Sequence, residues 1–429
     1  MSSWKTIKLS ECVFFQEGYV NPSKLESSYF GGAIKWLRAT DLNDGFVYET
    51  SQTLTEKGFN SAGKSALLFE PNTIAISKSG TIGRLGILKD YMCGNRAVIN
   101  IKTNLEKADS RFIFYVLRNN RSRIIELADG SVQKNLYTSA LGKLEFKLPE
   151  LEEQYNISSI LSSMDDKIQL NTQINQTLEQ IAQTIFKSWF IDFDPVHAKA
   201  NALASGQTLE QATQAAMAVI SGKNTQELHR LQTANPEQYQ QLWEIADAFP
   251  SGVDEEGVPW GWEERYLKDV CNIVYGKGLP KNKLTEKGFY VFGANGVIGF
   301  YDSYTYEKPQ VLIGCRGTVG QVTLSYPYSF VTNNSLVIEY ENSCVSMYYL
   351  EKYLSNINLK EISSGSVQPQ ITIQNMSKVK ILIPNIEILN FYSEKVKEIY
   401  DKRLHHFYEN QSLSKVRDLL LPKLLSGEV

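Results

Sequence analysis

The sequence predicts an α/β (α+β) fold in which two similar globular domains are separated by two long antiparallel coiled-coil helices, with pseudo-two-fold symmetry arising from an internal repeat. Three observations predict it. The chain says nearly the same thing twice, each copy reads as short strands followed by a long helical period, and charge sorts by segment. At 429 residues the chain also exceeds one domain of ordinary size, so two or three domains are expected.

The repeat is ordered. Trp4, Leu9, Gly18 and Pro22 recur as Trp262, Leu267, Gly276 and Pro280. Ile76-Ser-Lys-Ser-Gly80-Thr-Ile-Gly83 recurs as Ile313-Gly-Cys-Arg-Gly317-Thr-Val-Gly320, and Gly130-Ser-Val-Gln133 recurs letter for letter as Gly365-Ser-Val-Gln368. A constant offset of 235 then carries Leu136 to Ile371, Phe146 to Ile381, Pro149 to Pro384, Asp166-Lys167 to Asp401-Lys402 and Asn175-Gln176 to Asn410-Gln411. A repeat unit of about 190 residues is a duplicated module, not a solenoid.

Within each copy the globular domain, residues 1–148 or 262–384, carries short apolar runs such as 73–77 and 310–314, broken by glycines and polar turns. A helix is expected over 112–127 and 347–362, and a last strand over 143–148 and 378–383. Residues 149–194 and 385–429 read as long helices starting at Pro149 and Pro384, where proline is tolerated. In the first, Leu161, Met164, Ile168, Asn171, Asn175, Leu178, Ala182, Ile185 and Trp189 step by three and four without a break, the seam of a coiled coil. The matching seam is Val396, Ile399, Arg403, His406, Asn410, Leu413, Arg417, Leu420 and Leu424, polar at its centre. Phe407 and Val416, one place off, are expected to carry part of its packing. Pairing of the two helices is favoured over each lying on its own domain, because both copies keep the pattern. A helix of roughly 38 residues at 1.5 Å each spans on the order of 55–60 Å, enough to act as a ruler between two domains. Between the halves, residues 195–261 read as a helical Ala/Gln-rich insertion and linker.

Residues 1–148 hold 20 Lys and Arg against 14 Asp and Glu, and 262–384 hold 12 against 10, whereas 149–261 hold 5 against 16. Two mildly basic blocks around an acidic middle suggest that different faces have different partners. No apolar run is long enough to span a membrane and no apolar signal core opens the chain, so a cytoplasmic protein without a membrane partner is expected. Five cysteines, scattered singly, suit reduced thiols better than zinc or disulfides. Gly58-Phe-Asn-Ser-Ala-Gly63-Lys64-Ser65 spells a P-loop, but a polar run precedes it and a strand-type run follows, where phosphate binding needs a buried strand before and a helix after. The four histidines lack metal-ligand spacing, no nucleophile elbow or dinucleotide fingerprint appears, and Asp165-Asp166 reads as exposed helix charge. No catalytic residue, metal or cofactor is therefore expected in this chain.

Several tracts carry a family resemblance. Leu148-Pro-Glu-Leu-Glu-Glu-Gln154, the helix bearing Asp166-Lys-Ile168, Asn171, Asn175 and Leu178-Glu179, and Phe190-Ile-Asp-Phe-Asp-Pro-Val196 are similar to the central region of the specificity subunits of Type I restriction–modification systems. Leu421-Pro-Lys-Leu-Leu-Ser-Gly427 resembles that family's C-terminal region, and the two Gly-Thr-x-Gly phrases resemble elements of its target-recognition domains. The resemblance covers nearly the whole chain. It implies a non-catalytic subunit whose two target-recognition domains, 1–148 and 262–384, each read one half of a bipartite, non-palindromic double-stranded DNA target. It further implies that the helices set the spacer and dock two modification (methyltransferase) subunits, which use S-adenosylmethionine to methylate adenine. Restriction subunits would add ATP- and Mg-dependent endonuclease activity. The alternative is a coiled-coil interaction scaffold with two protein-binding heads and no DNA; a P-loop ATPase is a more distant third.

Phosphate contacts need cations, hydroxyls and backbone amides, and base edges need Arg, Asn, Gln or Lys. The glycine turns offer Lys78, Ser79, Thr81 and Arg84 in the first half, and Arg316, Thr318 and Gln321 in the second. The Gly-Ser-Val-Gln loops add Gln133, Lys134 and Asn135, then Gln368 and Gln370, with Arg38, Thr40, Arg96, Asn333 and Asn334 as further candidates. A second reading stands beside this one: phrases shared by both halves serve the turns of the fold, because a shared phrase cannot encode two different targets. The aromatics Trp36, Tyr48, Tyr301 and Tyr306 read as packing.

Overall fold

A computed structural model describes residues 4–130, 134–365 and 369–428. The chain forms two compact units, Met1–Ile174 with His406–Val429, and Asn175–His405. In the first, the apolar run Ile74–Ser77 is buried on both faces and forms the centre of a five-stranded sheet. It pairs antiparallel with Val98–Thr103 on one side and Leu85–Leu88 on the other, which sets Ile76 opposite both Ile99 and Leu85. Val13–Glu17 and Gly45–Val47 form the edges. The helix Ser110–Asn119, capped by Asp109 accepting from the Phe112 N–H, packs Phe112, Ile113, Val116 and Leu117 into the same core as Ile74 and Ile76. A second sheet is built on Phe30–Leu37, and Lys5–Lys8 pairs antiparallel with Glu145–Leu148.

The second unit repeats this plan. Val311–Gly314 lies between Ser335–Glu339 and Val322–Leu324, with Ile313 opposite Leu336 and Val322, and Asn272–Tyr275 forms the far edge. Glu263–Tyr266 pairs with Lys380–Ile383 as its counterpart does. The helices after the sheets are shorter than the apolar pattern suggests. The first breaks at Asn120 and resumes as Arg121–Glu126, and the second, expected to reach 362, ends at Ser355. The cause is the same in both: the Asn120 and Asn356 amides donate to the carbonyls of Val116 and Lys352, each at 2.9 Å, and so cap the turn.

The long helices run Leu151–Phe190 and Ile386–Ser426, beginning two residues past Pro149 and Pro384 instead of on them. In the first unit they are antiparallel neighbours. Asn171 Nδ2 donates to Asn410 Oδ1 at 2.8 Å and to Glu409 Oε2 at 2.7 Å, and farther along Asp165 pairs with Arg417. In the second unit Asn175 Nδ2 donates to the Arg403 carbonyl at 3.2 Å, and Phe186 packs on Tyr392. Leu161, Asn171, Trp189, Val396, His406 and Leu424 are buried along this seam; Met164, Ile168, Leu178, Ile185, Ile399, Leu413 and Leu420 are half-buried. Val416, expected to share the packing, is 48% exposed; its neighbour Arg417 takes the seam place because its guanidinium reaches Asp165. The core of the first unit takes in Leu421 and Leu424 from the end of the second helix. The core of the second takes in Ala182, Phe186, Trp189 and Phe190 from the end of the first.

The insertion folds as four helices, Asp194–Ala204, Leu209–Ser221, Thr225–Ala234 and Pro236–Ala248, of which the last three pack around Ala216, Met217, Leu228 and Ala246. Buried Lys199 donates to the carbonyls of Ala246, Asp247 and Phe249, placing a cation on the negative end of the last helix. No helix among the described residues is long and apolar enough to cross a membrane.

Candidate nucleic-acid interface

The sequence-selected loops meet. In the first unit, the turn after the strand Ile74–Ser77 closes on itself: Gly83 N donates to Ser77 O at 3.0 Å, and Ser77 Oγ donates to Thr81 O at 2.5 Å. From this turn Lys78 N donates to Ala97 O, while Lys78 O accepts from Leu136 N, both at 2.8 Å. Three loops, 77–84, 95–97 and 134–136, are thus tied into one junction. The second unit repeats the three backbone bonds of this junction; the Ser77 hydroxyl has no counterpart, because Gly314 stands in its place. Gly320 N donates to Gly314 O, Cys315 N to Asn334 O, and Ile371 N to Cys315 O, at 2.8, 2.9 and 3.1 Å.

The glycines are there for geometry. Gly80, Gly83, Gly317 and Gly320 have φ of +74°, +86°, +80° and +81°, a region that side chains with a Cβ rarely adopt. The shared phrases therefore serve the turn. Between them stand the side chains that differ: Lys78 against Cys315, Ser79 against Arg316, Arg84 against Gln321, Arg96 against Asn333.

Not every candidate reaches solvent equally. Lys78 is held by Glu17 at 2.6 Å, both largely covered, and Arg38 bonds Ser51 and Gln52 while lying over Trp36, so these two cations are occupied within the fold. Ser79 and Arg84 are half-buried; Thr81, Arg96, Lys134 and Thr40 are exposed. Asn135 is half-buried, its backbone paired with Asp129. In the second unit Arg316, Thr318, Gln321, Asn333, Asn334 and Gln370 are all exposed, with Arg316 Nε donating to Gln370 Oε1 at 3.3 Å. Gln133 and Gln368 lie outside the described residues. Trp36 is buried with its indole N–H on Val20 O at 2.8 Å, Tyr301 packs on Phe330, and Tyr306 donates to Glu339 at 3.0 Å, all in packing roles; Tyr48 is 41% exposed. The P-loop spelling falls on a short helix, Glu56–Asn60, and a single turn, Gly63–Ser65, and a Cβ at Gly58 would collide with the Tyr29 carbonyl. Burial pushes the Cys12 and Cys93 thiols up to about 12, which suits inert core residues.

Sequence reasoning missed an ionic cluster in each unit. Asp165, read as exposed charge, is largely covered and bound by Tyr115 Oη at 2.7 Å, Arg118 at 3.5 Å and Arg417. Only its neighbour Asp166 is exposed, facing Arg111 at 3.0 Å. In the second unit Lys352, its side chain 2% exposed, pairs with Glu179 and with Glu351 at 3.0 Å, and Arg403 joins Glu179 at 2.5 Å. Burial alone would push the Glu179 carboxyl up; Lys352 and Arg403 outweigh it and hold it below the usual glutamate value. No local pattern signals these clusters, because their members lie far apart in sequence.

Two copies of one α/β module, each presenting a rigid three-loop junction with its own side chains and each packed on a long helix, define a duplicated recognition protein. Residues 1–180 and 259–416 match the family described as the Type I restriction modification DNA specificity domain, and the chain belongs to the Type I restriction–modification specificity subunits. It is 36% identical over 378 residues to the Type I restriction enzyme HindI specificity subunit of Haemophilus influenzae, covering 80% of this chain and 82% of that one. It is 24% identical over 440 residues to the MjaIX specificity subunit of Methanocaldococcus jannaschii, covering 96% and 90%. The fold is similar to the crystal structure of the Type I S subunit from M. genitalium, with a TM-score of 0.55 and 18% identity over 99% of this chain and 96% of that one.

Proposed function

We propose that each three-loop junction is the DNA-reading surface of its domain, and that the two domains read the two halves of a bipartite target. The observation that carries this is the pairing of one backbone frame, built twice, with unlike exposed side chains upon it. A frame of fixed turns positions amides and hydroxyls for phosphates, whereas Arg96, Thr81 and Lys134 on one junction and Arg316, Gln321, Asn333 and Asn334 on the other offer different groups to base edges. Unlike side chains mean unlike half-sites, hence a non-palindromic target. The long helices set the gap between half-sites and dock two modification subunits. Those subunits bring S-adenosylmethionine, and restriction subunits bring ATP and Mg. The acidic middle of the chain suits protein docking better than a DNA face.

The test is to co-express the chain with its modification partner and map adenine methylation across the host genome by long-read sequencing. The expected result is one split motif with two unlike half-sites around a fixed gap. An active, assembled modification complex that leaves no such motif would refute the reading and favour a scaffold with two protein-binding heads, whereas salt-sensitive DNA binding by the complex would exclude that scaffold.

A further inference from the structure

Under the 235-residue offset the helix Leu151–Phe190 maps onto 386–425, so each position on one long helix has a counterpart on the other. The counterparts differ in charge. In the first unit the carboxylate of Asp165 is held by Arg118 and Arg417; in the second that of Glu179 is held by Lys352 and Arg403. Both carboxylates lie on the first helix and both helix arginines on the second. On the first helix the counterparts of Arg417 and Arg403 are Ala182 and Ile168, and in the first domain the place of Lys352 falls on the uncharged stretch 115–117 of the helix Ser110–Asn119. On the second helix the counterparts of Asp165 and Glu179 are Tyr400 and Ser414, neither of which carries a carboxylate. Two first halves paired with each other would leave Glu179 facing Ile168 and the uncharged stretch 115–117 in place of Arg403 and Lys352. Two second halves would leave Arg403 facing the neutral Ser414 in place of Glu179, with Lys352 keeping only Glu351 and Arg417 only Asp418. A covered charge stripped of its partner is strongly unfavourable.

The counterparts also differ in size. Phe186, Trp189 and Phe190 pack among Tyr349, Phe249 and Trp262, with Phe190 on Tyr349 at 5.0 Å and Trp189 on Phe249 at 5.2 Å. Their counterparts Leu421, Leu424 and Leu425 pack on the first domain, two of them fully within its core. Aromatics forced into the leucine site would overfill it, and leucines in the aromatic site would leave a void.

We infer that the helix pair is heterotypic by construction: each half of the chain fits the other half, and two copies of the same half do not assemble. This is independent of what the domains bind. The exposed Glu255–Glu256 turn accepts a protease site, so the folded full chain can be nicked between its halves. Light and isotopically heavy nicked chains are mixed in urea, diluted, and weighed by native mass spectrometry. The expected species are only one N-terminal with one C-terminal fragment, light and heavy exchanged. Homodimers of either fragment, or fragments that no longer find each other, overturn the inference. The insertion travels with the N-terminal fragment, so a second chain isolates the charges: Glu179→Lys with Lys352→Met and Arg403→Glu. Mixed with nicked wild type, it should form matched over mismatched pairs by at least about tenfold, since mismatches set like charges face to face. Equal populations would show that the ionic clusters do not choose the partner.

Discussion

Lys352 illustrates how a single residue can matter to the fold without belonging to the reading surface. Its side chain is 2% exposed, yet it meets Glu179 and Glu351 and lies over the Tyr400 ring at 5.7 Å. Lys352→Met leaves two carboxylates short of a cation, and the expected loss is about 3 kcal/mol, read from urea unfolding; Lys352→Met with Glu179→Leu should recover much of it. The pH dependence follows from Glu179. Its folded pKa lies below the ordinary 4.5, so its contribution is present above that value and disappears as pH falls through the folded pKa. Acid unfolding of the wild type should therefore steepen below about pH 4.5, and Glu179→Gln should flatten that limb while lowering stability at pH 7. The proposed reading surface should behave oppositely. Arg96 is exposed, so Arg96→Ala should weaken DNA binding by the assembled complex about tenfold with an unchanged urea midpoint. Lys78, held by Glu17, should show the reverse: Lys78→Met lowers the midpoint more than the affinity. Equal effects on both readouts would mean that exposure does not separate framing from reading residues.

Among elements, the glycine turns make the most graded prediction. Gly18 and Gly276 let two backbones touch: a Cβ would strike Asn95 O in one unit and Thr332 O in the other. Gly80 and Gly317 have open space around the Cβ position and need only their positive φ. Gly18→Ala and Gly276→Ala should cost about 3 kcal/mol, and Gly80→Ala and Gly317→Ala about 1 kcal/mol, measured by thermal unfolding. The reverse order would place the strain in the turn instead of at the backbone contact. The elements most legible in the sequence are those with a local rule. The three-and-four stepping from Leu161 to Trp189 gives the seam, and the duplicated Gly-Thr-x-Gly gives turns whose positive φ favours glycine. Two things were illegible for a common reason. The ends at Asn120 and Asn356 depend on an amide folding back onto its own helix, which apolar spacing does not encode. Asp165 reads as exposed helix charge because its partner Arg417 lies 252 residues away; Arg417 falls on the predicted seam, whereas Val416, expected to carry part of the packing, is exposed.

At the scale of the whole chain, a recognition domain is not complete at the end of its own repeat. The core of the first unit contains Ile157 and Leu161 from the start of one long helix, and Leu421 and Leu424 from the end of the other; Arg118 of the domain reaches Asp165 and Asp418 on those two helices. This separates the surface that reads from the module that folds. Replacing residues 1–148 with the domain of another family member transfers the whole loop junction, so one half-site of the methylated motif should change and the other stay. The grafted domain would then face leucines and an arginine selected for a different partner. Replacing the compact unit, 1–174 together with 406–429, transfers the same junction with its own helix segments. Both grafts should alter the same half-site, but the domain-only graft should unfold at a lower temperature than the unit graft, by the several degrees that about 2 kcal/mol of mispacking represents in a unit of this size. Methylation mapping and calorimetry on the same two chains separate the alternatives. A changed half-site with equal stability would mean that the helix ends accept any domain of the family. Unequal stability with the same new half-site would mean that the helix ends and the domain form one folding unit, whereas recognition is carried within residues 1–148.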